Sequence, residues 1–200
     1  MNDTTAVEIT DEELVWSYVY LGIAMAIGIP GNALILLVVS SVQVKSDIDN
    51  YIMSIAANDL AFCCLCMPTD IILFSGYLDS FKSITVANIF CKTKTYIRCV
   101  LSTTESLIIC LIALDRYYRV VRLHSKFFLS SYSKAGSIGC FCIAVCISVP
   151  NVIITWDAKD LQCRQGEDIF NKLYIMFLCV LSIFVAGAPH LIFFSPEVIM

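Results

Sequence analysis

The sequence predicts an all-α, polytopic membrane helix bundle. Of its 200 residues, 58% are hydrophobic and only 15% are charged, and the mean hydropathy is +0.81; soluble domains are not built this way. The apolar residues also run in long continuous blocks, without the period-two alternation of a transmembrane β-barrel. The formal net charge of −4 says little, because much of the acid lies at the N-terminus and in one loop. Basic residues are few and scattered, which leaves no footprint for a nucleic acid.

Residues 1–14 form a polar, acidic tail carrying Asp3, Glu8, Asp11, Glu12 and Glu13. Asn2-Asp3-Thr4 is a glycosylation sequon. A basic n-region is missing, so no cleavable signal peptide is expected, and the first span serves as its own insertion signal. That span covers roughly 15–41 and is interrupted by Pro30 and Gly31, which transmembrane helices tolerate. Asn32 lies at membrane depth and is expected to find a partner on another helix. Residues 42–50 read as a short loop with Lys45, Asp47 and Asp49.

The second span is expected over 51–77. Asp59 within it is costly in lipid and should face the bundle interior, and Pro68 should kink the helix. A loop over 78–90 leads to the third span, 91–122, and then to a basic stretch with Arg116, Arg119, Arg122, Lys126 and Lys134. The fourth span is expected over 135–155. A polar loop over 157–168 carries Cys163, and a fifth span over 170–194 contains Pro189. The sequence then runs through Ser195 to Met200. Nine of the 11 cysteines fall inside apolar runs, where a free thiol serves as a small packing group.

The third span sets the topology. Cys91 precedes Arg116 by 25 residues, or roughly 37 Å of helix, against a hydrocarbon core roughly 30 Å thick. The two residues therefore lie on opposite sides of a membrane. One further span returns the chain, so Cys163 faces the compartment of Cys91, and a disulfide closing a loop of about 70 residues is geometrically allowed. Disulfides persist on the oxidising side, which puts the N-terminus outside and Arg116 in the cytoplasm. The Lys/Arg tally is even on the two sides, so orientation rests on the cysteines rather than on charge bias.

These residues together resemble the rhodopsin-like (class A) G-protein-coupled receptors. The resemblance runs from Gly31-Asn32 through Asn58-Asp59-Leu60 and Pro68, then Cys91, Asp115-Arg116-Tyr117, Pro150, Cys163 and Pro189, in order and at the family's spacing. It implies the first five helices of a seven-transmembrane fold: an extracellular tail over 1–14 and an incomplete receptor domain over 15–200. The chain departs from the family's pattern in three places. Cys140 stands where a tryptophan is usual, the first outer loop lacks its tryptophan, and the tyrosine usual in the inner half of the fifth helix is not found.

The resemblance implies roles for particular residues. Asp115, Arg116 and Tyr117 would form the cytoplasmic switch for a heterotrimeric G protein, with Arg116 otherwise a snorkelling cation. Asn32 and Asp59 would belong to a polar core or sodium site, and Glu105 adds a second carboxyl there. That pair would bind a cation or share a proton, or Glu105 would be protonated and hydrogen-bonded. Arg98 precedes Arg116 by eighteen residues, at the level of the family's ligand contacts. Where amine receptors have an aspartate, this chain has that arginine, so a peptide or acidic small molecule is favoured over an amine. Lys94 and Arg98 share a helix face and would meet an acidic ligand, or else form an internal salt bridge to Asp70. Cys91 and Cys163 would form the disulfide.

The expected location is the plasma membrane, multi-pass, with membrane lipid and an extracellular ligand as partners and receptor oligomers allowed. No cofactor is expected beyond sodium at Asp59 and Glu105. His124 and His190 are isolated, so no metal site is implied, and no catalytic constellation points to an enzyme. The alternative is a truncated, non-signalling receptor fragment that at most associates with other receptor chains. A transporter or channel would need inverted repeats, which the sequence does not display.

Overall fold

The computed structural model describes residues 11–75, 84–121, 131–154, 156–159 and 162–165, with the single positions 173 and 176. The sequon at Asn2, the stretch 122–130 with Arg122, His124 and Lys126, and nearly all of the fifth span with Pro189 and His190 lie outside the described residues. So do the side chains of Tyr117 and Cys163.

Among the described residues, four stretches are long and apolar enough to cross a membrane: Glu12–Ser41, Asp47–Leu73, Ile84–Arg116 and Ser133–Pro150. The first is helix α1 (Asp11–Ser41), which runs through Pro30. Its apolar side chains point outward along most of its length, with Trp16, Tyr20, Ile27 and Leu37 exposed. In lipid this is the expected outcome, since acyl chains solvate such residues as well as a protein core does. Asn32 departs from expectation. Its amide donates to the Gly28 carbonyl oxygen at 3.0 Å, four residues back on its own helix. A side chain of this length reaches the preceding turn, and that occupies one of its two amide hydrogens within its own helix.

The second span is built from three pieces: α2 (Asp47–Ala61), a π-helical turn (Phe62–Cys66) and α3 (Met67–Phe74). It starts earlier than the charged residues suggest, because Asp47 and Asp49 form the first turn rather than a loop. Ser46 caps it: the Asp49 amide donates to Ser46 Oγ at 3.3 Å, and the Ser46 amide donates to Asp49 Oδ2 at 2.7 Å. This reciprocal pairing satisfies two orphan donors at the helix start. The π turn has a direct cause. Pro68 lacks an amide hydrogen and its ring crowds the carbonyl one turn earlier. The Met67 amide donates instead to the Phe62 carbonyl, five residues back, and the widened turn makes room for the ring.

Helix α4 (Ile84–Val121) is the centre of the bundle. It begins within the stretch expected to be loop, so Ile84–Phe90 are helical. It packs against α5 (Ser131–Ile154), α2 and the π turn. It also meets a two-stranded antiparallel hairpin, β1 (Trp156–Lys159) with β2 (Gln162–Gln165). The register pairs Ala158 with Cys163 and Lys159 with Gln162, so the expected polar loop has a folded core of its own.

Two glycines permit close helix approach. A methyl group on Gly28 of α1 would stand 2.8 Å from Cys63 Sγ, and one on Gly136 of α5 would stand 2.7 Å from Leu111 Cδ2. Close backbone contact through small residues holds transmembrane helices together where no hydrophobic drive exists. The apolar-run cysteines divide: Cys63 and Cys66 are buried, whereas Cys64, Cys142 and Cys146 face outward. Those three do not pack against the described residues as expected.

Candidate functional site

Three polar layers lie along α4, toward its N-terminus, at its middle and toward its C-terminus. The N-terminal layer joins α3 to α4. Lys94 and Arg98 are one turn apart on α4, and both reach Asp70 on α3. Lys94 Nζ lies 2.6 Å from Asp70 Oδ1, and Arg98 Nη2 donates to Asp70 Oδ2. Asp70 is 11% exposed at its side chain and Arg98 is 44% exposed. The Arg98 guanidinium also stands over the Phe62 ring, 5.7 Å from its centroid. Phe62 opens the π turn, so the widened helix supplies the aromatic face for a cation–π contact. The internal salt bridge left open by the sequence is therefore formed, and by both cations at once. Two cations on one carboxylate leave an excess of one positive charge.

Beside this cluster lies a cleft between the π turn, α3 and α4. Leu65, Cys66 and Thr69 form one wall, and Phe90, Thr93, Lys94 and Ile97 form the other. Cys91 is one helical turn away, fully buried and disulfide-bonded. The hairpin strand that contains Cys163 packs against the same helix.

The middle layer holds Asp59 and Glu105. Both are half-buried and close enough to act on one another electrostatically. Next to Asp59, Asn58 is buried and its Nδ2 donates to the Leu101 carbonyl oxygen at 3.1 Å. Thr104 is also buried and returns its hydroxyl to the Val100 carbonyl at 2.7 Å. Asn32, expected in this network, gives one amide hydrogen to the Gly28 carbonyl of its own helix. Among the described residues no group of three or more His, Cys, Asp or Glu is placed to hold a metal ion.

The C-terminal layer holds Asp115 and Arg116. Asp115 is only 2% exposed, and a carboxylate so deeply placed requires a partner; it does make an interaction. Arg116, one residue on, is half-buried. On the same side of the bundle Asn50 Nδ2 donates to Ser133 Oγ at 2.9 Å, both residues buried. That bond ties α2 to α5 across α4. Sequence reasoning missed Asn50 because it followed charged residues that read as a loop. The available signal was the Ser46-x-x-Asp49 cap, which places Asn50 inside a helix.

Residues 31–195 match the family described as 7 transmembrane receptor (rhodopsin family). The chain is also similar to the tyramine receptor Ser-2 of Caenorhabditis elegans, at 29% identity over 183 residues. That alignment takes in 86% of this chain and 38% of the relative's length.

Proposed function

The chain belongs to the rhodopsin family of seven-transmembrane receptors, and from that premise we propose that it senses an extracellular ligand and signals to a heterotrimeric G protein. One observation carries this reading. A single continuous helix, α4, holds the disulfide-bonded Cys91 near one end and Asp115-Arg116-Tyr117 near the other, and it is packed by every other span among the described residues except α1. A rigid rod of this kind can carry a change at an outer ligand site to an inner charge pair. Asp115 is the group that holds the switch closed, and Arg116 is the group offered to the G protein once it opens.

In this reading the N-terminus is extracellular, the membrane is the plasma membrane, and Cys163 is the partner of Cys91. Lys94, Arg98 and Asp70 form the ligand level. A protonated amine arriving there meets Arg98 and Lys94, which repel it, so a peptide or acidic small molecule suits the site better than the tyramine of the relative's name. Asp59 and Glu105 hold a sodium ion or share a proton between them. The test is guanine-nucleotide exchange in membranes carrying the receptor. Basal exchange should rise in Asp115→Asn and fall to background once Arg116→Ala is added.

A further inference from the structure

Lys94 has two roles in the geometry: it pairs with Asp70, and it is the charged residue in the wall of the α3–α4 cleft. The remaining walls are mostly apolar, from Leu65, Cys66, Phe90 and Ile97. Thr69 faces the cleft but spends its hydroxyl on its own helix, donating to the Leu65 and Cys66 carbonyls at 3.0 and 2.7 Å. The cleft thus offers an apolar bed, one ammonium group and the hydroxyl-bearing side chain of Thr93. Arg98 approaches Asp70 through the other carboxylate oxygen and is steadied by the Phe62 ring. It can hold Asp70 alone, so Lys94 is the cation that can be released.

We propose that this cleft binds a small organic acid with an apolar body, whose carboxylate takes Lys94 from Asp70. The apolar body lies against Phe90, Ile97 and Leu65. The acid supplies the negative charge that the cluster of two cations and one carboxylate lacks. Asp70 then becomes an internal competitor of the ligand, held in check by Arg98. This deepens the receptor reading and rests on it for the ligand's role as a signal. It selects an acid over a peptide lacking a free carboxylate near its apolar group.

The test uses the chain in neutral phosphatidylcholine nanodiscs, with tritiated octanoate as probe and protein-free discs as the partition blank. Octanol and octylamine serve as neutral and cationic controls of matched length. Octanoate should bind saturably, and neither control should displace it. Lys94→Gln should weaken binding about tenfold or more, and Lys94→Arg should restore most of it, which excludes misfolding as the cause. Asp70→Asn should tighten binding several-fold, because the competing carboxylate is gone. Arg98→Gln should weaken it, because Asp70 is then left to Lys94.

Absence of saturable binding would overturn the proposal, as would weaker binding in Asp70→Asn or unchanged binding in Lys94→Gln. Displacement by octanol would show partition into an apolar groove without acid recognition, and would equally overturn it. If phosphatidylglycerol mixed into the discs displaced octanoate and Lys94→Gln abolished that displacement, the lipid headgroup would be the occupant and the free acid would be rejected. The two readings fail separately. Saturable octanoate binding without nucleotide exchange removes the signalling role and leaves the site. Exchange driven by another ligand, with no octanoate binding, removes the site and leaves the receptor.

Discussion

Lys94 Nζ stands 2.6 Å from Asp70 Oδ1, while Arg98 holds the other oxygen of the same carboxylate. The C-terminal part of the second span and the N-terminal part of the third are thereby locked together by one acid and two bases. Removing the acid should be worse than removing either base. Asp70→Ala leaves two cations facing one another at the edge of the bundle. The expected loss is on the order of 2 kcal/mol, discounted for the exposure of Arg98. Thermal unfolding in detergent checks this, and the Asp70→Ala/Lys94→Met double variant should recover part of the loss.

The Asn50–Ser133 bond, 2.9 Å and buried, is the described side-chain link between α2 and α5. A double-mutant cycle with Asn50→Ala and Ser133→Ala should give a coupling of about 0.6 kcal/mol, the average for interhelical hydrogen bonds in membranes, and no more than about 1.7 kcal/mol. Additive single effects would show that the bond contributes nothing beyond each residue's own packing.

Gly28 leaves no room for a side chain, with Cys63 Sγ only 2.8 Å from where a methyl would sit. Gly28→Ala should therefore destabilise α1 against the π turn by about 1–3 kcal/mol. Pairing it with Cys63→Ala should restore most of that, because the obstructing sulfur is removed. Gly22→Ala, at a position with open space around it, serves as the control and should be silent in the same thermal assay.

Cys91 is disulfide-bonded. With Cys163 as its partner the closed loop is about 70 residues long, and its loss should cost about 4 kcal/mol. Cys91→Ser, Cys163→Ser and the double variant should then have one common melting temperature. They should also lose the mobility shift between reduced and non-reduced gels. Distinct effects of the two single variants would assign Cys91 another partner.

The four described spans were legible in the sequence because long apolar runs can satisfy their backbone in lipid only as helices. The C-terminal end of α4 was legible, whereas its start at Ile84 precedes Cys91 and lies in the stretch expected to be loop. What stayed hidden depended on local competition. Asp47 and Asp49 look like loop charges, yet a serine before them turns them into a helix start. Pro68 announces a break in the second span but does not say that the chain will widen into a π turn to accommodate it.

Asn32 was expected to reach across to another helix, whereas a nearer carbonyl took the bond. The sequence between β1 and β2, Asp160-Leu161, carries no glycine or asparagine turn signal, so nothing in that stretch distinguished the strand pair from irregular chain. The Asp70 cluster was half legible. Spacing put Lys94 and Arg98 on one face, but only the folded chain shows both on the same carboxylate.

The central claim is that Asp115 restrains Arg116 at the inner end of α4 and that release of Arg116 drives a G protein. Guanine-nucleotide exchange, measured without ligand in membranes carrying the receptor, tests it most directly. The account predicts that Asp115→Asn raises basal exchange above the parent receptor, and that Asp115→Asn with Arg116→Ala returns it to that of empty membranes. Exchange that is the same in the parent, the single and the double variant, at equal surface expression, would contradict it.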